Sequence, residues 1–237
     1  MAVGTATDVE VVDLATSSLR ELNQRLHDVA GDDPQPRRWR VVNPNGAHAI
    51  ACGLDAPVDV EVAGHVGYYC AGMNKRATVR VRGNAGTGLA ENMMSGTVVV
   101  DGNASQSAGA TGRGGLLVVH GDAGARCGIS MKGVDIVVRG SIGHLSAFMA
   151  QRGTLVVCGD AGDALGDSIY ETHIYVQGRV AGLGADCVEK ELREHHVTEL
   201  RSLLDAAGLG DLDAAGFRRY GSARELYNFK IDNVSAY

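Results

Sequence analysis

The sequence predicts an all-β core folded as a right-handed parallel β-helix of about seven 19-residue coils, with a helix at each end. Glycine makes up 33 of the 237 residues, about twice the usual ~7%. Most of the excess lies at a fixed spacing of 19 residues, and a strand-like pair of apolar residues precedes each of these glycines. The repeated glycines are Gly64, Gly83, Gly102, Gly121, Gly140, Gly159 and Gly178. A constant period of this length is typical of stacked repeat proteins.

The residues four and two positions before each repeated glycine predict one strand per coil. All 14 of them are apolar and 12 are β-branched. Val60 and Val62 precede Gly64, and Ile136 and Val138 precede Gly140. A spacing of two is the side-chain period of a strand that buries alternate residues. Stacking places like residues above like, which explains why whole columns of the sequence agree.

Small residues predict where each coil turns. Three residues after the repeated glycine stands a second glycine, replaced only by Ser105 and Ala181, and seven residues after it every residue is glycine or alanine. We expect glycine to supply the backbone conformations of these corners. A leucine-rich repeat would need an LxxLxL frame, and calcium-binding nonapeptide repeats would need an acidic residue in nearly every turn. Neither pattern is present, and the glycine and valine content disfavours helical repeats.

The repeat divides the chain into three parts. Residues 1–45 form an N-terminal helix and cap, residues 46–184 the β-helix, and residues 185–237 a C-terminal helix and an aromatic docking tail. Ser18 and Glu21 have the spacing of a capping box, which predicts the start of the first helix.

Two further elements are predicted at the ends of the repeat. Trp39–Val42 predicts a first, irregular strand. The segment from Asp186 to Ala207 predicts a helix, because acidic residues stand near its start and Asp186/Lys190 and Glu189/Arg193 are spaced as i,i+4 charge pairs.

One outward-facing column predicts a contact surface. Three residues before the repeated glycine, the column begins with Glu61 and Arg80 and then becomes an apolar ladder, which consists of Val99, Val118, Val137, Val156 and Tyr175. Either the chain's own C-terminal segment covers this ladder, or the ladder forms a subunit interface. The aromatic residues that we group with the ladder as candidate interface residues are Phe217, Tyr220, Tyr227 and Phe229.

No group of residues predicts catalysis, cofactor binding or a metal site on this chain. The segment Gly83–Gly88 lacks the spacing of a phosphate-binding loop. Cys70 and Cys127 share a column but are three coils apart, so a distance of about 14 Å prevents a disulfide or a shared metal. His195 and His196 have no HExxH companion, and we expect a solvated or interface pair.

Charge and cysteine content limit the partners and the compartment. The formal net charge of −6 gives no reason to expect nucleic acid or a membrane surface as a partner. No apolar run approaches the ~20 residues of a membrane span, and the N-terminus does not resemble a signal peptide. Five cysteines without a CxxC spacing predict free thiols in a reducing compartment. We therefore expect a cytoplasmic protein.

The repeats resemble a known family. Val79–Gly86, Leu117–Gly124 and Leu155–Gly162 are similar to the GXGXG β-helix in the C-terminal domain of the glutamate synthase large subunit, and the β-helix component of formylmethanofuran dehydrogenase is similar. The resemblance covers about residues 58–184. Four further segments look most like the stand-alone, glutamate-synthase-like β-helix component of N-methylglutamate synthase: Phe148–Gln151, Gly166–Tyr170, Gly184–Lys190 and Arg218–Arg224.

This resemblance implies a non-catalytic subunit of an enzyme complex. The enzyme of that family makes N-methylglutamate and ammonia from methylamine and glutamate. Its other subunits are an amidotransferase-like protein and an FMN-binding, iron–sulfur glutamate-synthase-like protein. The resemblance thus places FMN and the iron–sulfur cluster on a partner, in a hetero-oligomer, and no catalytic residue is carried over to this chain.

Two alternatives are kept beside this interpretation. One is the β-helix component of a formylmethanofuran dehydrogenase or formyltransferase/hydrolase complex. The other is an enzyme in its own right, such as a β-helix acyltransferase with an active site between coils. The hexapeptide repeats of such enzymes do not fit a 19-residue period.

Overall fold

The computed structural model describes residues 9–29 and 37–225, and its main feature is one continuous sheet of 11 strands. Nine parallel strands follow one another in chain order, and two antiparallel strands close the far end. The strands are β1 (Val9–Asp13), β2 (Arg37–Val42), β3 (Val58–Ala63), β4 (Thr78–Val81), β5 (Thr97–Val100), β6 (Leu116–Val119), β7 (Lys132–Val138), β8 (Arg152–Val157), β9 (His173–Val176), β10 (Cys187–Lys190) and β11 (Arg218–Ser222). The helices are α1 (Leu19–His27) and α2 (Glu194–Ala206), and a 3₁₀ turn spans Ala214–Gly216.

The predicted β-helix of about seven coils is confirmed. From β3 to β9 the strands pair at an offset of 19 residues, as in Val60 with Val79 and Leu155 with Ile174, and the register shifts only at the start of β7. A second line of parallel bridges runs two residues after each repeated glycine, from Val66 with Ala85 to Ala161 with Val180. The apolar core lies inside the coils and is continuous from Val12 to Tyr220.

Close approach of the backbones explains the repeated glycines. A Cβ atom at Gly83 would lie 2.7 Å from the carbonyl carbon of Gly64 and 2.8 Å from its oxygen. The backbones of successive coils are equally close at each later repeated glycine. For example, the N–H of Gly121 donates to the carbonyl of Gly102 at 3.0 Å. Real Cβ atoms do not fit at these distances, so the column must be glycine for steric reasons.

The corner conformations, by contrast, are mostly adopted by residues other than glycine. Tyr69, Ala71 and Met73 have φ values of 57°, 55° and 56°, and the same three positions are left-handed in the next five coils. Hydrogen bonds to neighbouring coils stabilise this backbone, including Tyr69 N–H to the Thr87 carbonyl at 2.9 Å. The expectation that glycine supplies the corner geometry therefore needs correction, because inter-coil hydrogen bonds maintain most of it.

The N-terminal cap contains more strand than we expected. Ser18 Oγ accepts the Glu21 backbone N–H at 3.2 Å, which confirms the predicted start of α1. However, β2 is a regular six-residue strand in unbroken register with β3, and β1 adds a further parallel strand that the sequence did not predict. Leu22 and Leu26 of α1 are fully buried in the core. They cover the apolar interior at this end of the solenoid.

The C-terminal helix is shorter than predicted. The segment that we expected to begin it is strand β10, which pairs antiparallel with β11, while β11 pairs antiparallel with β9. The predicted charge pairs, Asp186/Lys190 and Glu189/Arg193, therefore do not lie on a helix. Helix α2 begins only at Glu194. The open edge of β9 requires hydrogen-bond partners, and this tertiary demand overrides the local helix signals.

Candidate functional site

The outer face of the sheet is divided into a covered half and an open half. In register across the strands, one outward column runs Arg40, Glu61, Arg80, Val99 and then the rest of the apolar ladder. The C-terminal segment packs on β6–β9. The described part of the chain leaves the charged end of the column, on β2–β4, exposed or only half-buried.

The covered half is an intramolecular interface. Val118, Val137, Val156 and Tyr175 are at most 1% exposed. The buried residues that pack on them are Leu200, Leu204, Ala207, Leu209, Ala214 and Phe217. Burial of such side chains contributes about 1.5–3 kcal/mol each. Of the two explanations offered for the ladder, the structure favours coverage by the chain's own C-terminal segment.

The candidate interface therefore requires correction. Val118, Val137, Val156, Tyr175 and Phe217 cannot face another subunit, because α2 and the segment after it already occupy their surfaces. Val99 remains half-buried at the margin.

The aromatic residues of the tail have different positions. Tyr220 is 2% exposed and belongs to the core inside the coils, so it is also unavailable to a partner. Tyr227 and Phe229 lie outside the described residues.

A group of titratable side chains lies where α2 meets the sheet edge. His173 comes from β9, His196 and Glu199 from α2, and Arg219 from β11. His173 Nδ1 is 3.6 Å from Glu199 Oε2, and the rings of His173 and His196 meet edge to face at 5.7 Å. The group therefore connects the C-terminal cover, which consists of α2 and the segment up to Phe217, to both the parallel stack and its antiparallel end.

Burial keeps the two histidines of this group neutral. Desolvation, together with Arg219 and the neighbouring histidines, lowers the pKa of His196 to about 4. Desolvation and Arg219 also lower the pKa of His173, against the opposing effect of Glu199. Desolvation raises the pKa of the nearby Tyr175 phenol to about 12. These groups are suited to structural contacts at neutral pH rather than to proton transfer.

The two members of the pair His195–His196 differ in exposure. His195 is exposed, but His196 is 5% exposed and its Nδ1 accepts the Arg193 backbone N–H at 3.1 Å. His196 thus satisfies a free donor at the start of α2. The prediction of a solvated or interface pair is wrong for His196, because that ring is used to begin the helix.

The open half contains a network of ion pairs. Arg82 contacts Glu61 at 2.6 Å and Asp101 at 3.1 Å, and Arg80 contacts Asp101 at 2.7 Å. Burial alone would raise the pKa of Asp101, but the two arginines outweigh it and hold that pKa below its usual value. Arg40 is farther from its partner, with Nε 3.7 Å from Glu61 Oε1.

A groove of about 410 Å³ runs over this half of the sheet. Its walls come from β1–β4, and the lining residues are Val9, Arg38, Trp39, Arg40, Asp59, Val60, Glu61, Thr78 and Arg80. Val9 and Val11, on the edge strand, are 49% and 58% exposed. The groove therefore combines three arginines and two carboxylates with an exposed apolar margin.

A second column of side chains, missed from the sequence, strengthens the stack. The residue after each of the first six repeated glycines accepts a backbone N–H from the next coil, as when Asn84 Oδ1 accepts from Asn103 at 2.8 Å. The acceptors are His65, Asn84, Asn103, Asp122, Ser141 and Asp160, and the donor of the last bond is Arg179. The signal was available, because six successive residues in one column can all accept a hydrogen bond.

The thiols are dispersed rather than assembled into a site. All five cysteines are free, and Cys70, Cys127 and Cys187 are buried. Desolvation raises the pKa of Cys127 and Cys187 to about 12 and that of Cys158 to about 11. Thiols with raised pKa values are poor nucleophiles at neutral pH. Within residues 9–29 and 37–225, no three metal-ligating side chains are grouped to hold an ion.

Neither helix of the described chain combines the length and apolar character needed to cross a bilayer.

Comparison with known proteins shows the family. The chain is 61% identical to Protein GlxC of Rhizobium meliloti (strain 1021) over 227 residues, which are 96% of this chain and 99% of that relative. No family model matches the chain, and no solved structure matches it. Identity at this level over nearly the whole of both chains means that the chain belongs to the GlxC family.

Proposed function

We propose that this chain is the structural, non-catalytic β-helix subunit of a glutamate-synthase-like complex, and specifically of N-methylglutamate synthase. Its role is to hold an amidotransferase-like subunit and an FMN-binding, iron–sulfur glutamate-synthase-like subunit in a fixed arrangement. The observation that carries the proposal is the 19-residue register that runs from β3 to β9. The GXGXG resemblance of the repeats supplies the identity of the complex and its reaction.

A stack of this kind is suited to positioning other subunits. Backbone bonds join successive coils at the strands, at the repeated glycines and at the corners. A one-residue slip would turn every inward valine outward, so the register is strongly specified. Seven coils at ~4.8 Å extend roughly 30 Å, enough to separate two docking surfaces without bending. Partners bound at different coils therefore keep a constant separation.

The chemistry is assigned to the partners. FMN and the iron–sulfur cluster would be held by the glutamate-synthase-like subunit, and glutamine-amidotransferase-like chemistry by the other. The buried histidine His196 and the buried thiols Cys70, Cys127 and Cys187 are engaged in packing. Methylamine as the substrate follows from the resemblance alone.

Reconstitution tests the proposal. The chain is co-expressed with an amidotransferase-like and an FMN-binding glutamate-synthase-like subunit from the same genome, and N-methylglutamate formation from methylamine and glutamate is measured. We expect a ternary complex whose activity is lost when this chain is omitted. Turnover by this chain alone, or stable assembly with a molybdopterin-dehydrogenase-like subunit instead, would overturn it.

A further inference from the structure

We propose that the open half of the outer face, over β1–β4, is the docking surface for an acidic, amphipathic segment of a partner subunit. The inference rests on the proposed function only in assuming that a partner subunit exists. It adds where that partner binds and which chemistry the bound segment has.

The arginines at the open end are incompletely paired. Glu61 Oε2 is taken by Arg82 and Arg80 is bound to Asp101, as described above. Arg38 is exposed and has no ion-pair partner among the described residues, and Arg40 has only its 3.7 Å contact with Glu61. Carboxylates from another protein would complete both guanidinium groups.

The nature of the partner follows from charge. The chain as a whole carries −6, so a long polyanion such as nucleic acid, or an anionic membrane, would be repelled over most of the surface. A short acidic segment can bind the local arginines while meeting only the two carboxylates of the groove, Asp59 and Glu61, of which Glu61 is paired with Arg82. The exposed Val9 and Val11 pair in register with Arg38 and Arg40 and share their outward side. The segment should therefore present apolar residues beside its carboxylates.

The covered half shows how this face accepts such a segment. The apolar residues of α2 pack on the ladder, while its Glu199 reaches His173. The ladder continues the column of Arg40, and His173 lies in the column of Arg38. An amphipathic segment over β1–β4 would therefore extend an arrangement that the chain already uses on β6–β9, with the charged Arg38 in the column where the covered half has the neutral His173.

Charge reversal tests the surface. The variant Arg38→Glu/Arg40→Glu is compared with a matched control, Arg113→Glu/Arg126→Glu, whose side chains are exposed, belong to no strand of the sheet and do not line the groove. Affinity for the co-expressed partner subunits is measured at low and high salt. We expect the first variant to bind at least about tenfold more weakly at low salt and to lose most of the salt dependence, while the control binds like the unsubstituted chain.

A second variant tests the apolar margin, and the outcomes separate the two proposals. Val9→Thr/Val11→Thr keeps the side-chain shape and should weaken binding at both salt concentrations.

Equal affinity of Arg38→Glu/Arg40→Glu and the control would overturn the docking surface. A change only in self-association, measured by sedimentation velocity, would also overturn it in favour of a second copy of this chain. If the unsubstituted chain binds neither partner, the proposed function fails instead.

Discussion

The backbone N–H of Asp122 donates to Oδ1 of Asn103, 2.8 Å away and one coil earlier. This bond is one rung of the acceptor column that runs beside the repeated glycines. It joins side chain to backbone at the same step at which Gly121 N–H donates to the Gly102 carbonyl. Each coil is therefore fixed to the previous one by both backbone and side-chain bonds at this corner.

Loss of one acceptor should weaken the stack measurably. Asn103→Ala leaves the Asp122 N–H without its partner and should lower the free energy of unfolding by about 1 kcal/mol, because the site is exposed and water replaces part of the bond. Urea denaturation measures the change. Asn103→Asp keeps the acceptor and serves as the control, and equal losses in both variants would contradict the role of the acceptor.

Substitution within the glycine column should be more costly. Gly121→Ala introduces a Cβ against Asn103 Oδ1 and 2.8 Å from the backbone carbon and oxygen of Gly102, and a destabilisation of about 1–3 kcal/mol is expected from overpacking. Gly216→Ala is the control, because its added Cβ would meet only Gln177 Nε2 at 3.7 Å. A melting temperature of Gly121→Ala within the range of this control would show that the backbone spacing and the Asn103 side chain can both relax.

The histidines under the C-terminal cover should make stability depend on pH. The pKa of His196 is lowered to about 4 in the folded chain, whereas an unfolded histidine has a pKa of ~6.5. Below pH ~6.5 the unfolded state therefore binds more protons, and stability falls as pH decreases from ~6.5 to ~4. The pKa of His173 is also lowered, so His173 acts in the same direction. Glu199 opposes the lowering of both pKa values, whereas Arg219 and His195 contribute to the lowering of the His196 pKa.

His196→Asn tests this dependence, because its amide oxygen can accept the Arg193 N–H without titrating. We expect the urea midpoint of the variant to change less between pH 7 and pH 4.5 than that of the unsubstituted chain. Parallel curves for the two proteins would exclude His196 as a source of the slope.

The C-terminal cover should also depend on its buried leucines. Leu204 is fully buried against the ladder, so Leu204→Ala should cost about 2–5 kcal/mol. Leu183→Ala, at a site 41% exposed, should change stability little. Limited proteolysis between α2 and β11 should accelerate in the first variant only. Equal rates would mean that the cover does not depend on this contact.

The stacked core could be predicted from the sequence because glycine recurs at the same position of a 19-residue repeat in seven successive coils. The start of α1 was predictable for a local reason, since Ser18 accepts a backbone N–H within the first turn. The misassigned segment from Asp186 shows the limit. Its charges favour a helix locally. The hydrogen-bond groups at the edge of β9, however, need a strand as partner, and this requirement depends on the tertiary fold.

The candidate surface was harder to predict than the fold. The column from Glu61 to Tyr175 correctly indicated a change from charge to apolar residues, but not which surface would cover the apolar part. The groove at Arg38 depends on β1, whose five residues carry little periodic signal. The buried role of His196 depends on packing between elements that are far apart in sequence.

Arg179, which follows the last repeated glycine and ends the series of acceptors, has a consequence for self-association. Its backbone N–H donates to Asp160, but a guanidinium group cannot accept a bond from a further coil. At the same end, β11 runs against the direction of the stack and covers β9. End-to-end addition of one molecule to the next, which could otherwise lead to fibre growth, therefore meets a terminus that differs chemically from every coil before it.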